Sequence, residues 1–524
     1  MYLLGIMKKT PVLLTVLIIA LAAFKFILPF LLQSPAYEPH RDEFLYLAEG
    51  RHMAWGFMEV PPLLSVFAWL VNICGDGIFW IKFWPSLFGA FTFIIVAKTI
   101  VALGGKSFAI LLGFFPFVTG AYLRVHYLFQ PNFLEIFFWT VIAWSMICFV
   151  QTQQNKWLYV FGISIGLGMM SKYSVSFFVL SVLIGLILTR QRKIFLNKHF
   201  YLACLVAFII FLPNLIWQYQ HHFPVIFHMK ELQETQLQYI DPVRFLIDQL
   251  LMNLPCVFIW IGGWCWVCFN RQTNQYRFIG WAYVAVIVLL LLGHGKNYYA
   301  LGAYPILFAF GAYQLEQLTL IRFRILRYVF ILVVVFLGYL FIPLALPIFE
   351  PATLAAFYEK KHMEKTGTLK WEDLKNHPLP QDFADMLGWE EMTKKMTAAY
   401  RTLDKNEKKS TILFCDNYGQ AGAVNYYGEK YKIPQAYSDN ASFLYWMPNK
   451  IDFDNLVLLT DDENEMQHDF IKNFKSVVLT DSVTSKYARE KGSLIIVLKG
   501  PNAEFKKFFI EKLEKDRAKV LGLK

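Results

Sequence analysis

Long apolar runs separated by short polar corners fill the first 348 residues, and a charged, strand-and-helix pattern replaces them after Ile348. The first run, residues 11 to 32, is longer than the roughly 18 apolar residues that mark a spanning helix. No small-residue cleavage pattern follows it, so it reads as helix one rather than as a removed leader. Further runs predict helices near 78–102, on to about Tyr122, over 132–150, and then up to Met170, Arg190, Pro213, Arg271, Gly293, Arg322 and Leu346 in turn. That makes about eleven spans. The basic clusters at Lys8-Lys9, 190–198, 271–277 and 322–327 then all fall on one face, which the positive-inside bias makes cytoplasmic. The loop 33–77 is accordingly outside, with 41–57 lying on the membrane surface and 61–74 continuing as a second interfacial segment. The stretch from Trp217 to about Val243 reads as an outer loop.

Beyond residue 348 the pattern predicts helical and loop-rich chain to 409, then strands at 411–415, 456–460, 476–480 and 493–498. Helices near 420–430, 463–474 and 503–517 alternate with them, which is the pattern of a small α/β domain. The division is therefore a transmembrane domain, 1–348, and a soluble extracytoplasmic domain, 349–524, on the side of the loop 33–77.

Composition agrees with this: 56% hydrophobic and 18% aromatic residues, with mean hydropathy +0.40, exclude an ordinary soluble enzyme. The net charge of +11 does not argue for nucleic acid, because in the first 348 residues Lys and Arg mostly occupy short loops where they set topology. The seven cysteines lack disulfide-framework spacing, and Cys265 and Cys268 sit in a tryptophan-rich apolar run that suits core packing better than redox or zinc chemistry.

His40-Arg41-Asp42-Glu43, with Tyr46 one turn on and Pro61-Pro62 behind it, lies where the first helix leaves the hydrocarbon. A carboxylate there is costly unless it faces water, a partner or a substrate. The topology collects further polar residues at the same depth: Arg124, His126, Gln130, Asn132 and Glu135; Lys172 and Tyr173; Gln218 and His222; Lys296, Tyr298 and Tyr299. Acids, cations, amides and phenols at one water–lipid boundary suit a reaction between a lipid phosphate and a hydroxyl. Such a reaction needs a base for the hydroxyl proton, and Asp42 fits. It also needs donors that hold the departing phosphate, for which Arg124, Lys172, Lys296, Tyr298 and Tyr299 qualify. A divalent metal on the Asp-Glu pair and nearby histidines stays open, although no H-E-x-x-H or close Cys-His spacing supports a tight site. Tyrosine belts and snorkelling lysines are also common at interfaces without any catalytic part. In the tail, Asp416-Asn-Tyr-Gly-Gln-Ala-Gly422 follows a strand and opens a helix. It is not G-x-G-x-x-G and reads as a structural turn, with an acceptor contact if the domain folds back over the cavity.

An Asp-Glu motif in the first outer loop followed by an interfacial helix and Pro-Pro resembles the GT-C superfamily of integral-membrane glycosyltransferases. Tyr127-Leu-Phe-Gln-Pro-Asn132 with Glu135, Gly168-Met-Met-Ser-Lys-Tyr173, Pro213-Asn-Leu-Ile-Trp-Gln218 with His222, and Gly295-Lys-Asn-Tyr-Tyr299 resemble the bacterial family 39 members. Those are relatives of the protein O-mannosyltransferases and the lipid A aminoarabinose transferase. The resemblance implies a polytopic α-helical GT-C fold with a soluble α/β domain in a bacterial inner membrane, and a polyprenyl-phosphate sugar donor. It also implies a lipid, glycan or protein acceptor on the outer face. By position it implies Asp42 as base, with Glu43 beside it and Glu135 as a supporting acid. Lys172, Lys296 and Tyr298 or Tyr299 would contact phosphate, and His40, His126, Gln130, Asn132, Tyr173, Gln218 and His222 would line the cavity. Two other readings remain: a lipid-linked-sugar flippase or transporter, which should carry mid-bilayer ionisable residues and paired broken helices, and a non-catalytic scaffold with an outer sensor domain.

Overall fold

The computed structural model describes residues 11–320, 323–448 and 451–521, so Lys8, Lys9 and Arg322 of the topology argument lie outside the described residues. Every apolar run is helical: α1 (Val12–Leu32), α4 (Ile78–Ala102), the broken α5 (Ser107–Phe114), α6 (Pro116–Thr119) and α7 (Ala121–Val125), α8 (Asn132–Thr152), α9 (Lys156–Met169), α10 (Val175–Ile187), α11 (Lys198–Gln220), α14 (Val257–Phe269), α15 (Arg277–Leu292), α16 (Tyr304–Leu318) and α17 (Leu326–Ala345). Among the described residues six helices are long and apolar enough to cross a membrane, or up to eight if each of two bent pairs is one span. The chain is a multi-pass membrane protein. Burial sorts the bundle: 83% of the apolar window of α8 is buried, against 22–28% for α1, α11 and α17, so α8 is the central post and the other three face lipid.

Between α1 and α4 run α2 (Arg41–Arg51) and α3 (Leu63–Ile73), close to the two interfacial segments expected. The histidine at the start of α2 closes a capping box: His40 Nδ1 accepts from the Asp42 amide, and the Glu43 carboxylate accepts from the His40 amide. The stretch read as an outer loop from Trp217 to about Val243 instead forms α12 (Pro224–Thr235), and the helix expected from there to Arg271 is broken into α13 (Pro242–Leu251) and α14. Pro224 and Pro242 each stand at a first helical turn, where the missing N–H costs nothing, and the Asp241 side chain caps the second.

The tail opens with α18 (Pro351–Lys360), α19 (Gln381–Ala384) and α20 (Trp389–Arg401), followed by α21 (Tyr418–Tyr431), α22 (Phe443–Trp446) and α23 (Ala503–Val520) around a five-stranded sheet. The strands are β1 (Thr411–Cys415), β2 (Ala436–Tyr437), β3 (Asn455–Thr460), β4 (Phe474–Ser482) and β5 (Leu494–Pro501), in the order β2-β1-β3-β5-β4. The β1–β2 and β1–β3 pairs are parallel and the β3–β5 and β4–β5 pairs antiparallel. The helix expected over 463–474 is two short 3-10 turns, Glu465–Gln467 and Asp469–Asn473.

The two parts share a core. Phe44, Leu45 and Ala48 of α2 are buried in one cluster with Trp389, Met392, Met396, Ala421 and Val424 of the tail. Glycine makes the approach close: a β-carbon at Gly422 would stand 2.7 Å from Phe44 Cβ. Glu38 accepts from the amides of Trp389 (2.6 Å) and Glu390 (3.1 Å), satisfying the first turn of α20 from the other part of the chain. The composition change at 348/349 is thus not a boundary in space, since α2 is sandwiched between bundle and tail.

Candidate active site

Adjacent residues on a helix point about 100° apart, and on α2 this sends the two acids to different surroundings. Glu43 is fully buried. Its oxygens accept from Lys82 Nζ at 2.5 and 2.6 Å and from the Phe129 amide at 2.6 Å, besides the His40 amide. With every surrounding donor used, Glu43 fastens α2 to α4 and to the α7–α8 corner and leaves no room for a substrate proton. The Lys82 ammonium also stands 4.3 Å from the Tyr127 ring centre.

Asp42 keeps 30% of its side-chain surface. Its Oδ1 accepts from the Tyr418 hydroxyl of α21 at 2.8 Å and its Oδ2 from Gln130 Nε2 at 2.9 Å. A carboxylate offers about four lone-pair positions, so two remain for a further donor. Burial alone would raise its pKa. The neighbouring His40, the Arg41 charge, the Tyr418 hydrogen bond and the Lys296 charge outweigh that and hold the carboxyl below its ordinary value. Behind it, His40 Nε2 lies 3.7 Å from Asp385, which is itself 3.4 Å from Arg489. Burial pushes Asp385 up to about 6 despite Arg489, His40 and Arg41.

From Asp42 a continuous chain of polar contacts runs along the end of the bundle. Gln130 Oε1 accepts from Asn132 Nδ2 at 3.2 Å, Asn132 Oδ1 accepts from Lys172 Nζ at 2.6 Å, and Lys172 pairs with Glu135 at 2.8 Å. Ser174 donates to the other Glu135 oxygen at 2.5 Å. The Lys172 ammonium faces the rings of Tyr299 at 4.3 Å and Tyr298 at 5.7 Å. Lys296 completes the group, with a loose 4.0 Å pair to Glu372 and its charge felt at Asp42. Beside Lys172, Tyr173 donates to Asn214 (3.1 Å) and accepts from Gln218 (2.8 Å), and Asn214 donates to the Trp55 carbonyl (2.8 Å), tying the α9–α10 corner and α11 to the segment after α2.

Three expected members stand elsewhere. Arg124 is committed to Asp382 at 2.6 Å, to the carbonyls of Leu344 and Ala345 at the end of α17, and to the Phe383 ring, so it locks the exit of α17 to the tail. His126 is fully buried beside Phe117 and Gly89, sealed inside the bundle. His222 is exposed at the α11–α12 turn with φ +58° and has no place in the network. Nor do Asp42 and Glu43 converge as a ligand pair, because Glu43 faces Lys82. Among the described residues the His/Asp/Glu group with metal-like spacing is Asp462, Glu465 and His468 in the tail.

Sequence reasoning missed Lys82 and Tyr418. A lysine in the first turns of an apolar helix was the available signal for the first, since such a charge demands a partner. The Asn417-Tyr418-Gly419 turn was the signal for the second.

The model of the dolichyl-phosphate-mannose-protein mannosyltransferase family matches residues 59–217. The lipid A galacturonosyltransferase RgtD of Rhizobium johnstonii is 21% identical over 260 residues, 48% of this chain and 54% of that protein, so the chain spans about half the length of the curated relative it matches. Among solved structures, ArnT of Cupriavidus metallidurans bound to undecaprenyl phosphate superposes with TM-score 0.60 at 11% identity, over 93% of this chain and 99% of that one. The Archaeoglobus fulgidus oligosaccharyltransferase tethered with an acceptor peptide gives TM-score 0.51 at 11% identity, over 88% of this chain and 70% of that one.

Proposed function

We propose that this chain, whose fold is that of the GT-C glycosyltransferases, transfers a sugar from a polyprenyl-phosphate-linked donor to a hydroxyl or phosphate of a lipid, glycan or protein acceptor at the outer face of a bacterial inner membrane. The observation that carries the reading is the unbroken run from Asp42 through Gln130 and Asn132 to the Lys172–Glu135 pair. It joins a partly exposed carboxylate to a cation flanked by two phenols at one end of an apolar bundle, the separation of base and phosphate holder that the reaction demands. ArnT bound to undecaprenyl phosphate has this fold, which supports a lipid phosphate as the donor's leaving group.

In this mechanism Asp42 removes the proton of the acceptor hydroxyl as its oxygen bonds to the anomeric carbon. The bond from that carbon to the phosphate oxygen breaks on the opposite face, giving inversion, and polyprenyl phosphate leaves as the anion. Lys172, Lys296, Tyr298 and Tyr299 stabilise the charge growing on the phosphate. Glu135 aims Lys172, Glu43 anchors α2, and Gln130, Asn132, His40, Tyr173 and Gln218 shape the cavity. A transporter would use an ionisable path through the bundle, whereas buried Lys25 donates to the Tyr122 carbonyl at 3.4 Å within packed helices, so the transferase reading is preferred.

The test is transfer from a panel of radiolabelled undecaprenyl-phosphate sugars by purified protein in detergent, with envelope lipid and protein as acceptors. Asp42→Asn runs beside it. Transfer that disappears in the variant supports the reading and identifies the donor. Transfer that survives removes Asp42 from the mechanism, and binding without transfer of any donor sends the question to translocation in liposomes.

A further inference from the structure

We infer that Tyr418, carried by the soluble domain, is a positioning residue for the Asp42 carboxylate, so that the tail supplies part of the reaction centre. The inference rests on Asp42 as the base. The carboxylate hangs between one donor from each part of the chain: Gln130 of the bundle on Oδ2 at 2.9 Å and Tyr418 of the tail on Oδ1 at 2.8 Å. With both oxygens fixed, the carboxylate cannot rotate, and the lone pairs left over point in a set direction.

The first turn of α21 is built for this contact. Asn417 caps the helix by accepting from the Gln420 amide at 3.0 Å, which sets Tyr418 at the first helical position facing α2. Two glycines let the turn come close enough: a β-carbon at Gly419 would stand 2.6 Å from Arg41 Cγ, and one at Gly422 would stand 2.7 Å from Phe44 Cβ. The Arg41 guanidinium lies 4.5 Å from the centre of the Tyr418 ring and fixes its plane. Gln420 is held by Glu490 at 2.6 Å, so the turn is anchored from the sheet side as well. Burial, with the Asp42 charge beside it, keeps the Tyr418 phenol well above its ordinary pKa, so it stays a donor. The tail motif thus has a physical reason at each of these positions.

Docking of the tail does not need the Tyr418 hydroxyl. Arg51 pairs with Glu429 at 2.6 Å, Tyr426 donates to the Asp76 carbonyl at 2.5 Å, and Phe44 packs on Trp389 and Tyr426, all along the same seam. This separation makes the inference testable.

The experiment compares Tyr418→Phe, Gly422→Ala and Tyr426→Phe in the full chain, with Asp42→Asn alongside, following kcat, donor KM and the pH profile with radiolabelled undecaprenyl-phosphate sugar. A hydrogen bond to a charged group supports a loss of about tenfold to hundredfold in kcat for Tyr418→Phe, with donor KM within about twofold. Because that bond favours the ionised carboxylate, its loss moves the acid limb to higher pH. Gly422→Ala, which pushes α21 from α2, should move the limb the same way, and Tyr426→Phe should leave it where it is. An unmoved limb in both Tyr418→Phe and Gly422→Ala, or an equal shift in Tyr426→Phe, overturns the inference. If that happens while Asp42→Asn is inactive, the base assignment survives and only the Tyr418 role falls. An active Asp42→Asn removes both.

Discussion

The seam between α2 and the tail, and the wedge between α2 and α4, receive neighbouring acids from the same helical turn and treat them in opposite ways. In the wedge, Glu43 loses all contact with solvent and is surrounded by donors that answer it fully. At the seam, Asp42 keeps part of its surface and is answered on each oxygen by a single neutral donor, while the cations that hold it ionised stand further off. A buried pair with one partner per charge is a fastening whose worth appears only when half of it is removed. A half-answered carboxylate with lone pairs to spare is free to take a further donor, which is why the proposed mechanism gives Asp42 the part of base. Chemical type and sequence position do not separate the two acids, whereas the count and charge of the donors around each do.

The sharpest way to break the comparison is Asp42→Asn, expected to lower transfer by about 10²–10⁴-fold, the range of a general base, with thermal unfolding in detergent unchanged. A drop in unfolding temperature would mean that the seam is a fastening too. Glu43→Gln should do the reverse, destabilising the protein by roughly 3–5 kcal/mol because Lys82 is left charged and buried. Replacing Glu43 and Lys82 together by methionine should recover the part of that loss due to the buried lysine charge but not the bonds to the His40 and Phe129 amides, as read from the same unfolding curves. Lys172→Gln should cost about 10²–10³-fold in transfer, as loss of a transition-state donor does, and should also loosen Glu135. Arg124→Gln has the smallest expected effect on chemistry: transfer within about twofold, with stability lower by about 1–2 kcal/mol from the lost bonds to Asp382 and α17. A donor-binding defect there would return Arg124 to the phosphate group. On pH, Asp42 is held low by His40, Arg41, Tyr418 and Lys296, so it is ionised at neutral pH. The acid limb of kcat/KM should therefore lie below the ordinary carboxylate range rather than near 7.

Much of the site was legible because span length and basic corners bring Asp42, Gln130, Asn132, Glu135, Lys172 and the Tyr298–Tyr299 pair to one depth, and the structure joins or closely approaches them there. What was not legible depends on rotation and on distant packing. The 100° step that separates Asp42 from Glu43 matters only once α4 and α21 are in place. The commitment of Arg124 depends on where α17 ends, and the sealing of His126 on how the broken α5–α7 segment folds inward. The strands were readable from their apolar runs, β1 to the residue, because a fully buried strand such as β3 carries an unbroken apolar run, Leu456 to Leu459. The helix over Pro224–Thr235 escapes a reading by apolar runs because the segment is short and polar, with Pro224 at its first turn.

The seam also dictates an order of events during synthesis. Tyr418 follows Asp42 by 376 residues, so at roughly 5–20 residues per second the ribosome needs about 20–75 s to deliver the second half of the contact. Through that interval Phe44, Leu45 and Ala48 wait outside the bilayer without the tail residues that bury them. The nascent chain therefore carries a sticky, half-made seam until α21 emerges, and the Asp42–Tyr418 contact can close only after that helix is made.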